Sequence, residues 1–295
     1  MTPTERAIES IQGLSVGDAL GQCFFSLQAD LEERVLRGDY LPEAPWHYTD
    51  DTEMSLSVLS MLLNLGRIDQ DALAMSFAHG YSYDRAYGPA MHRALMRIRE
   101  GEHWRSVAYS LFEGQGSYGN GAAMRAAPIG AYFAGSDDLV RHHAALAAEV
   151  THAHPEGIAG AIAVAVAASV ACDLRAAGRP ACHEDFLNRV AELVPESEVR
   201  SRLFKAREMS SVGSIQFPVS VLGAGHEMSA QDTVPFALWC CGQSLGDFEK
   251  AIRLGLLGGV DRDTICAIIG GVVTCYTGSA AIPEEWIKRR EPLPE

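Results

Sequence analysis

The chain has 295 residues, 47% of them hydrophobic and 21% charged, so it carries ample apolar material for a core and no signature of disorder. Lys and Arg number 24 against 38 Asp and Glu, a formal net charge of −14, which disfavours neutralising phosphates over a broad surface and argues against duplex nucleic acid as a partner. Residues 1–6 are polar with no apolar run behind them, and the longest apolar stretch, 158–172, falls short of the roughly 20 residues that cross a bilayer, so neither a secretory signal nor a membrane partner is expected. The seven cysteines form no Cys-x-x-Cys, and reduced thiols in a cytoplasmic setting are the expectation.

Taken in chain order, the apolar spacing predicts helices over 8–25 and 52–65, the second because Met54, Val58, Met61, Leu62 and Leu65 recur at i, i+4, i+7, i+8 and i+11. Residues 104–112 repeat the pattern with Trp104, Val107, Ala108, Leu111 and Phe112. Further helices are predicted over 139–150, 157–174, 186–193, 234–241, 248–256 and 264–276, and strand-like alternation is nearly absent. Turn residues gather at 37–45, 114–121, 177–180 and 210–230, none long enough for an interdomain linker. The reading is all-α, one compact multi-helix domain over 1–295 with roughly ten or more helices.

Gly114, Gly116 and Gly119 match the G-x-G-x-x-G dinucleotide fingerprint, but that fingerprint works only after a strand, and a helix pattern precedes it here. A flexible glycine loop running into Asn120 and Gly121 fits better, with a helix starting near Ala122 to aim its positive end at a phosphate. Thr49-Asp50-Asp51-Thr52-Glu53 stands before a helix; Asp50 with Glu53 makes a capping box, yet a cap needs one carboxylate and adjacent aspartates repel. Asp261-Arg262-Asp263-Thr264 repeats the arrangement. Together the two clusters offer four carboxylates and two hydroxyls, hard oxygen donors that suit Mg²⁺ or Mn²⁺ and do not suit zinc. His152 and His154, ahead of an Ala-rich helix, read either as a cap or as a hydrogen-bonding group for a ligand.

The chain resembles the ADP-ribosylglycohydrolase family. The matching stretches, in the family's order, are Gly17-Asp18-Ala19-Leu20-Gly21, Thr49-Asp50-Asp51-Thr52, the segment from Gly119 to Arg125, Thr151-His152-Ala153-His154-Pro155, the segment from Val234 to Trp239, Asp261-Arg262-Asp263-Thr264, and Ile282-Pro283-Glu284-Glu285-Trp286. The resemblance implies an all-α domain with a binuclear magnesium site in a central cleft, Mn²⁺ being a substitute. The implied ligands are Thr49, Asp50, Asp51, Asp261, Asp263 and Thr264, with Asp51 and Asp261 the dual-role carboxylates, one of which activates water. Gly119, Asn120, Gly121 and Met124 would hold ADP-ribose, with His152 nearby. The implied reaction is Mg²⁺-dependent hydrolysis of the glycosidic bond between ADP-ribose and an acceptor, the partner being an ADP-ribosylated protein or small molecule.

Two departures from the family pattern stand out. Arg262 replaces a small residue between the ligand aspartates, where it would weaken the metals or pair with a substrate phosphate. Phe24-Phe25-Ser26 stands where a subset of members carries a glutamate, leaving Glu32 or Glu33 as substitutes. A serine linkage must expel an alkoxide and benefits from a general acid, whereas an arginine linkage leaves as a neutral guanidine, so an arginine-type N-linkage is expected. The competing readings are an ADP-ribose-binding module disabled by Arg262 and the missing glutamate, and a purely structural helical protein whose acidic clusters are caps.

Overall fold

The computed structural model describes residues 1–25, 30–210 and 214–294, leaving aside the side chains of Glu32 and Leu36. Helix α1 (Pro3–Gln22) opens on a capping box: Thr2 Oγ1 accepts from the Glu5 N–H at 3.2 Å, and the Thr2 N–H donates to Glu5 at 2.7 Å. There follow α2 (Leu31–Arg37), α3 (Asp50–Leu65), α4 (Gln70–Gly80), α5 (Pro89–Arg99) and α6 (Trp104–Gly114). Next come α7 (Ala127–Phe133), α8 (Asp137–Glu149), α9 (Pro155–Ala176), α10 (His183–Leu193), α11 (Glu198–Arg207) and α12 (Gln216–Leu222). The chain closes with α13 (Ala230–Ser244), α14 (Phe248–Gly258), α15 (Arg262–Thr277) and α16 (Glu284–Arg289). Among the described residues there are no strands, only two isolated bridges, so the all-α expectation holds.

All nine expected helices are present, with ends displaced by a few residues. Helix α6 leaves helical geometry at Leu111, and Phe112 and Glu113 turn to φ +51° and +58°, ahead of the glycine loop. The sequence reading missed α5, although Met91, Ala94, Leu95 and Ile98 recur at i, i+3, i+4 and i+7 and are all buried. It also missed α2, α4, α11 and α16, and the short α12 inside the expected 210–230 break.

The centre is built by close approach of small residues. A Cβ on Gly17 would lie 2.0 Å from the Cys266 carbonyl oxygen, and one on Gly21 would lie 2.3 Å from that of Arg262. Helices α1 and α15 therefore touch backbone to backbone, which sets the end of α1 beside the start of α15. Helix α7 meets α9 the same way, since a Cβ on Gly130 would fall 1.8 Å from the Ala165 carbonyl oxygen. The apolar run 158–172 sits inside a 22-residue helix, long and apolar enough to cross a membrane, yet 89% of its apolar window is buried within the protein. It is the core helix that the others surround.

Candidate active site

Two helix starts that are 212 residues apart in the chain meet in one cleft of about 340 Å³. On one side α3 begins at Thr49, whose Oγ1 accepts from the Asp51 N–H at 3.3 Å and so performs the capping. Asp50 is not the cap, and Glu53 does not close a capping box; it accepts instead from the Ser82 N–H at 3.1 Å and the Tyr87 hydroxyl at 2.7 Å. Asp50 and Asp51 are thereby free of capping duty and face the cleft. On the other side Asp261 occupies the cap position of α15 but makes no capping bond, and its Oδ2 accepts from Asn120 Nδ2 at 2.6 Å.

Asp18 was quoted in the sequence as part of a motif without a role, and the structure supplies one. Fully buried on α1, it accepts from the N–H and hydroxyl of Thr49 at 3.0 and 2.8 Å and from those of Thr52 at 3.1 and 2.5 Å. It pins the head of α3 to α1. Thr49 Oγ1 also lies 3.0 Å from Asp51 Oδ2, and Thr264 Oγ1 reaches the same oxygen at 3.4 Å, which links the two clusters. The carboxylates are held under electrostatic stress. Burial, then the charges of Asp18 and Asp261, pushes Asp50 up to about 8, while burial outweighs the threonine hydrogen bonds to bring Asp18 to about 6. Burial and neighbouring aspartates raise Asp51 and Asp263 well above the carboxylate range.

Asp51 Oδ1 is buried without a hydrogen bond. An unsatisfied buried charged oxygen costs more than about 1–3 kcal/mol, and a divalent cation would relieve both that cost and the repulsion. Among the described residues, however, no three His, Cys, Asp or Glu side chains stand at metal-ligand spacing. The carboxylates turn to protein partners, Asp18 to Thr49 and Thr52, Asp261 to Asn120, and Asp263 to the Thr264 N–H at 2.9 Å. The donor set fits a hard cation, and the two-ion geometry implied by the resemblance is not displayed.

Gly119, Asn120, Gly121, Met124 and His152, the residues that the resemblance would set around ADP-ribose, line the same cleft, and Thr49 is buried and does not line it. The expected helix near Ala122 is a single 3₁₀ turn, Asn120–Ala122, and α7 begins only at Ala127. Two of the loop's N–H groups are already used, Gly119 donating to Ser117 Oγ at 3.1 Å and Asn120 to the Met228 carbonyl at 3.0 Å. The glycines serve another purpose: a Cβ on Gly121 would lie 2.9 Å from His152 Cε1 and 3.1 Å from its Nε2. The imidazole occupies the space that the missing side chains leave.

His152 and His154 divide the two roles that the sequence left open. His154 Nδ1 accepts from the Glu156 N–H at 3.1 Å and caps α9. His152 is buried, its Nδ1 lies 2.7 Å from Thr151 Oγ1, and burial followed by the Arg125 charge lowers it to about 3, so its ring is neutral. Arg125, another residue the sequence reading passed over, donates to Thr151 Oγ1 at 2.6 Å, Gly121 O at 2.7 Å and Ala147 O at 3.2 Å, and lies 4.6 Å over the Phe77 ring. A charged residue in the otherwise apolar 122–131 run was the available signal. Phe112, ahead of the glycine loop, and Tyr118, within it, are exposed and stacked with centroids 6.4 Å apart. We expect Gly121→Val to expel the His152 ring and weaken ADP-ribose binding at least tenfold, or about 1.4 kcal/mol, with divalent-cation affinity retained. Calorimetry with each ligand checks this, and equal ADP-ribose dissociation constants would reduce the loop to a connection.

One of the two departures has a structural account. Arg262 is buried, its Nε donating to Leu256 O at 2.9 Å and its Nη1 to Phe24 O at 3.0 Å. Its guanidinium is engaged by those carbonyls and not by the carboxylates, and it ties α14 to the turn after α1. Gln22 and Phe25 line the cleft from that turn, whereas Ser26 lies outside the described residues. Glu33 is engaged on the surface with Arg37, and the Glu32 side chain is likewise outside the description.

A family model described as ADP-ribosylglycohydrolase matches residues 1–293. An uncharacterised protein of Archaeoglobus fulgidus is 32% identical over 99% of this chain and 94% of its own length. The human ADP-ribosylhydrolase ARH3 is 29% identical over 95% of this chain and 89% of its own, and the ADP-ribosylarginine hydrolase Tri1 of Pseudomonas putida is 27% identical over 97% and 74%. A solved structure described as an ADP-ribosylglycohydrolase-related protein complex superposes with a TM-score of 0.71 at 26% identity, covering 98% of this chain and 93% of that one.

Proposed function

The chain belongs to the ADP-ribosylglycohydrolase family and is by that membership a glycosyl hydrolase, and from this premise we propose that it uses Mg²⁺ to cleave ADP-ribose from an arginine-type N-linkage on a protein. The observation that carries the reading is the meeting of Asp50 and Asp51 with Asp261, Asp263 and Thr264 in one cleft, with Asp51 Oδ1 left unsatisfied. Thr49, Asp50, Asp51, Asp261, Asp263 and Thr264 are the residues that would hold Mg²⁺, or Mn²⁺ in its place. When bound, the cation orients ribose hydroxyls and offsets charge as the glycosidic bond breaks.

The protein's own groups do the rest. Asp51 and Asp261 supply the carboxylate that takes a proton from the attacking water, and an oxocarbenium-like transition state is favoured by the negative charge gathered beneath it. The Asn120 amide is fixed between Asp261 and Thr233 Oγ1, the latter at 2.9 Å, so it meets the ribose without reorganising. His152 offers a neutral ring nitrogen beside Gly119 and Gly121. The exposed faces of Phe112 and Tyr118 suit a flat base.

The proposed linkage is supported by what the described turn after α1 puts into the cleft. Gln22 and Phe25 stand there, neither an acid able to protonate an alkoxide, and Glu33 is paired elsewhere. A guanidine leaves without that help. The name of Tri1 speaks of ADP-ribosylarginine for that protein and supports the same direction. The binding-module alternative loses one of its two stated causes, because Arg262 is engaged by backbone carbonyls and not by the carboxylates.

With Mg²⁺ present, arginine-linked ADP-ribosyl peptide is expected to turn over at least tenfold faster than serine-linked peptide. Faster serine release would overturn the linkage. Binding of ADP-ribose without turnover of either peptide would favour the binding module, and undiminished turnover after chelation would overturn the cation requirement.

A further inference from the structure

The segment that presents Thr49, Asp50 and Asp51 is held from behind by the last residues of the chain. The Trp46 N–H donates to Arg289 O at 2.7 Å, and the Glu291 N–H donates to Trp46 O at 2.9 Å, so residues 289–291 run beside the approach to α3. The Glu291 side chain then gathers three donors. Its Oε1 accepts from the Tyr48 N–H at 3.0 Å and from Arg85 Nη1, while its Oε2 lies 3.0 Å from His47 Nδ1. Arg85 extends the clamp: Nη1 donates to Tyr48 O at 2.8 Å, the guanidinium lies 3.8 Å over the Tyr48 ring, and Arg85 O accepts from the Asp50 N–H at 2.7 Å. Apart from the two backbone bonds of Trp46, every bond in this set ends on the two residues before Thr49, on Asp50 itself, or on the arginine that holds Asp50.

We propose that Glu291 is a positioning residue for the cation site, acting through Tyr48 and Arg85 to fix where Thr49, Asp50 and Asp51 stand. The inference rests on the assignment of those three residues as cation ligands. One carboxylate oxygen, Oε1, accepts from both Tyr48 and Arg85, so Glu291→Ala removes both holds at once, whereas an amide could keep them by turning its NH₂ to the His47 ring. The surrounding packing does not depend on this charge, because Trp286 holds α16 to the core through ring contacts with Tyr40, Trp46 and Phe248.

The test is Mn²⁺ titration of the full chain by calorimetry, with circular dichroism to verify folding. Glu291→Ala is expected to weaken Mn²⁺ binding about tenfold and to regain turnover at raised Mg²⁺, which a merely structural lesion would not do. His47→Ala is the control, because His47 is 67% exposed and its loss leaves Tyr48 and Arg85 bonded; it should bind Mn²⁺ like the wild type. Should Glu291→Ala fail to fold, Glu291→Asp, which keeps the charge but shortens the reach, replaces it with a several-fold weakening expected. A folded variant that binds Mn²⁺ as tightly as the wild type would overturn the positioning role alone. A wild-type chain that takes up no Mn²⁺ would overturn the cation reading and the positioning role with it.

Discussion

Asp51→Asn is expected to lower turnover by about 10³-fold, the scale at which loss of a proton-transferring carboxylate is felt, while the metal-free protein keeps its fold. Asn preserves the shape and still accepts from the Thr49 and Thr264 hydroxyls, which lie 3.0 and 3.4 Å from Asp51 Oδ2. What disappears is a buried carboxyl whose ionised form is disfavoured first by burial and then by Asp18, Asp263, Asp50 and Asp261 in that order. Removing it should leave the metal-free melting temperature equal or higher, because folding no longer has to suppress the ionisation that the unfolded chain allows. The rise in melting temperature that Mg²⁺ gives the wild type should vanish. Parallel melts and rate measurements check both halves, and wild-type turnover in this variant would remove Asp51 from the machinery.

Gly17→Ala is expected to be among the most damaging single methyl groups in the chain, at about 3 kcal/mol, the upper end for overpacking. The added Cβ would sit 2.0 Å from the Cys266 carbonyl oxygen and 2.7 Å from its carbon, and backbone atoms cannot rotate aside. Helices α1 and α15 must separate, and the separation acts on the site as well as the core. Asp18, the next residue, loses its seat against Thr49 and Thr52, and the α15 carboxylates move away from those of α3. Urea unfolding should show a lowered midpoint at unchanged slope together with weaker Mn²⁺ binding. Gly88→Ala serves as the comparison, since a Cβ there meets nothing within 4 Å. Similar midpoints for both variants would show that the α1–α15 contact yields more easily than its geometry implies.

What the sequence determined by itself was everything that local spacing records. The 3.6-residue recurrence of Met54, Val58, Met61 and Leu62, and the like around Trp104, sufficed for helices, because burying one stripe of a helix needs no knowledge of what lies opposite. The paired acidic clusters were visible as oxygen donors, since two adjacent carboxylates exceed what a cap requires. The order of the short motifs was enough to suggest the family before any coordinate was known.

Only the tertiary structure decided which polar group serves which partner. Thr49 rather than Asp50 caps α3, Asp18 secures it, Arg262 donates to Leu256 and Phe24 instead of the carboxylates, and Glu291 reaches back to Tyr48. Each of these choices, apart from the Thr49 cap, spans from 6 to more than 240 residues of chain, and a residue's type does not say which distant donor packing will bring to it. That was settled by glycines such as Gly17, Gly21 and Gly130, whose missing side chains let helices meet at backbone distance and so fix where every carboxylate on them must stand.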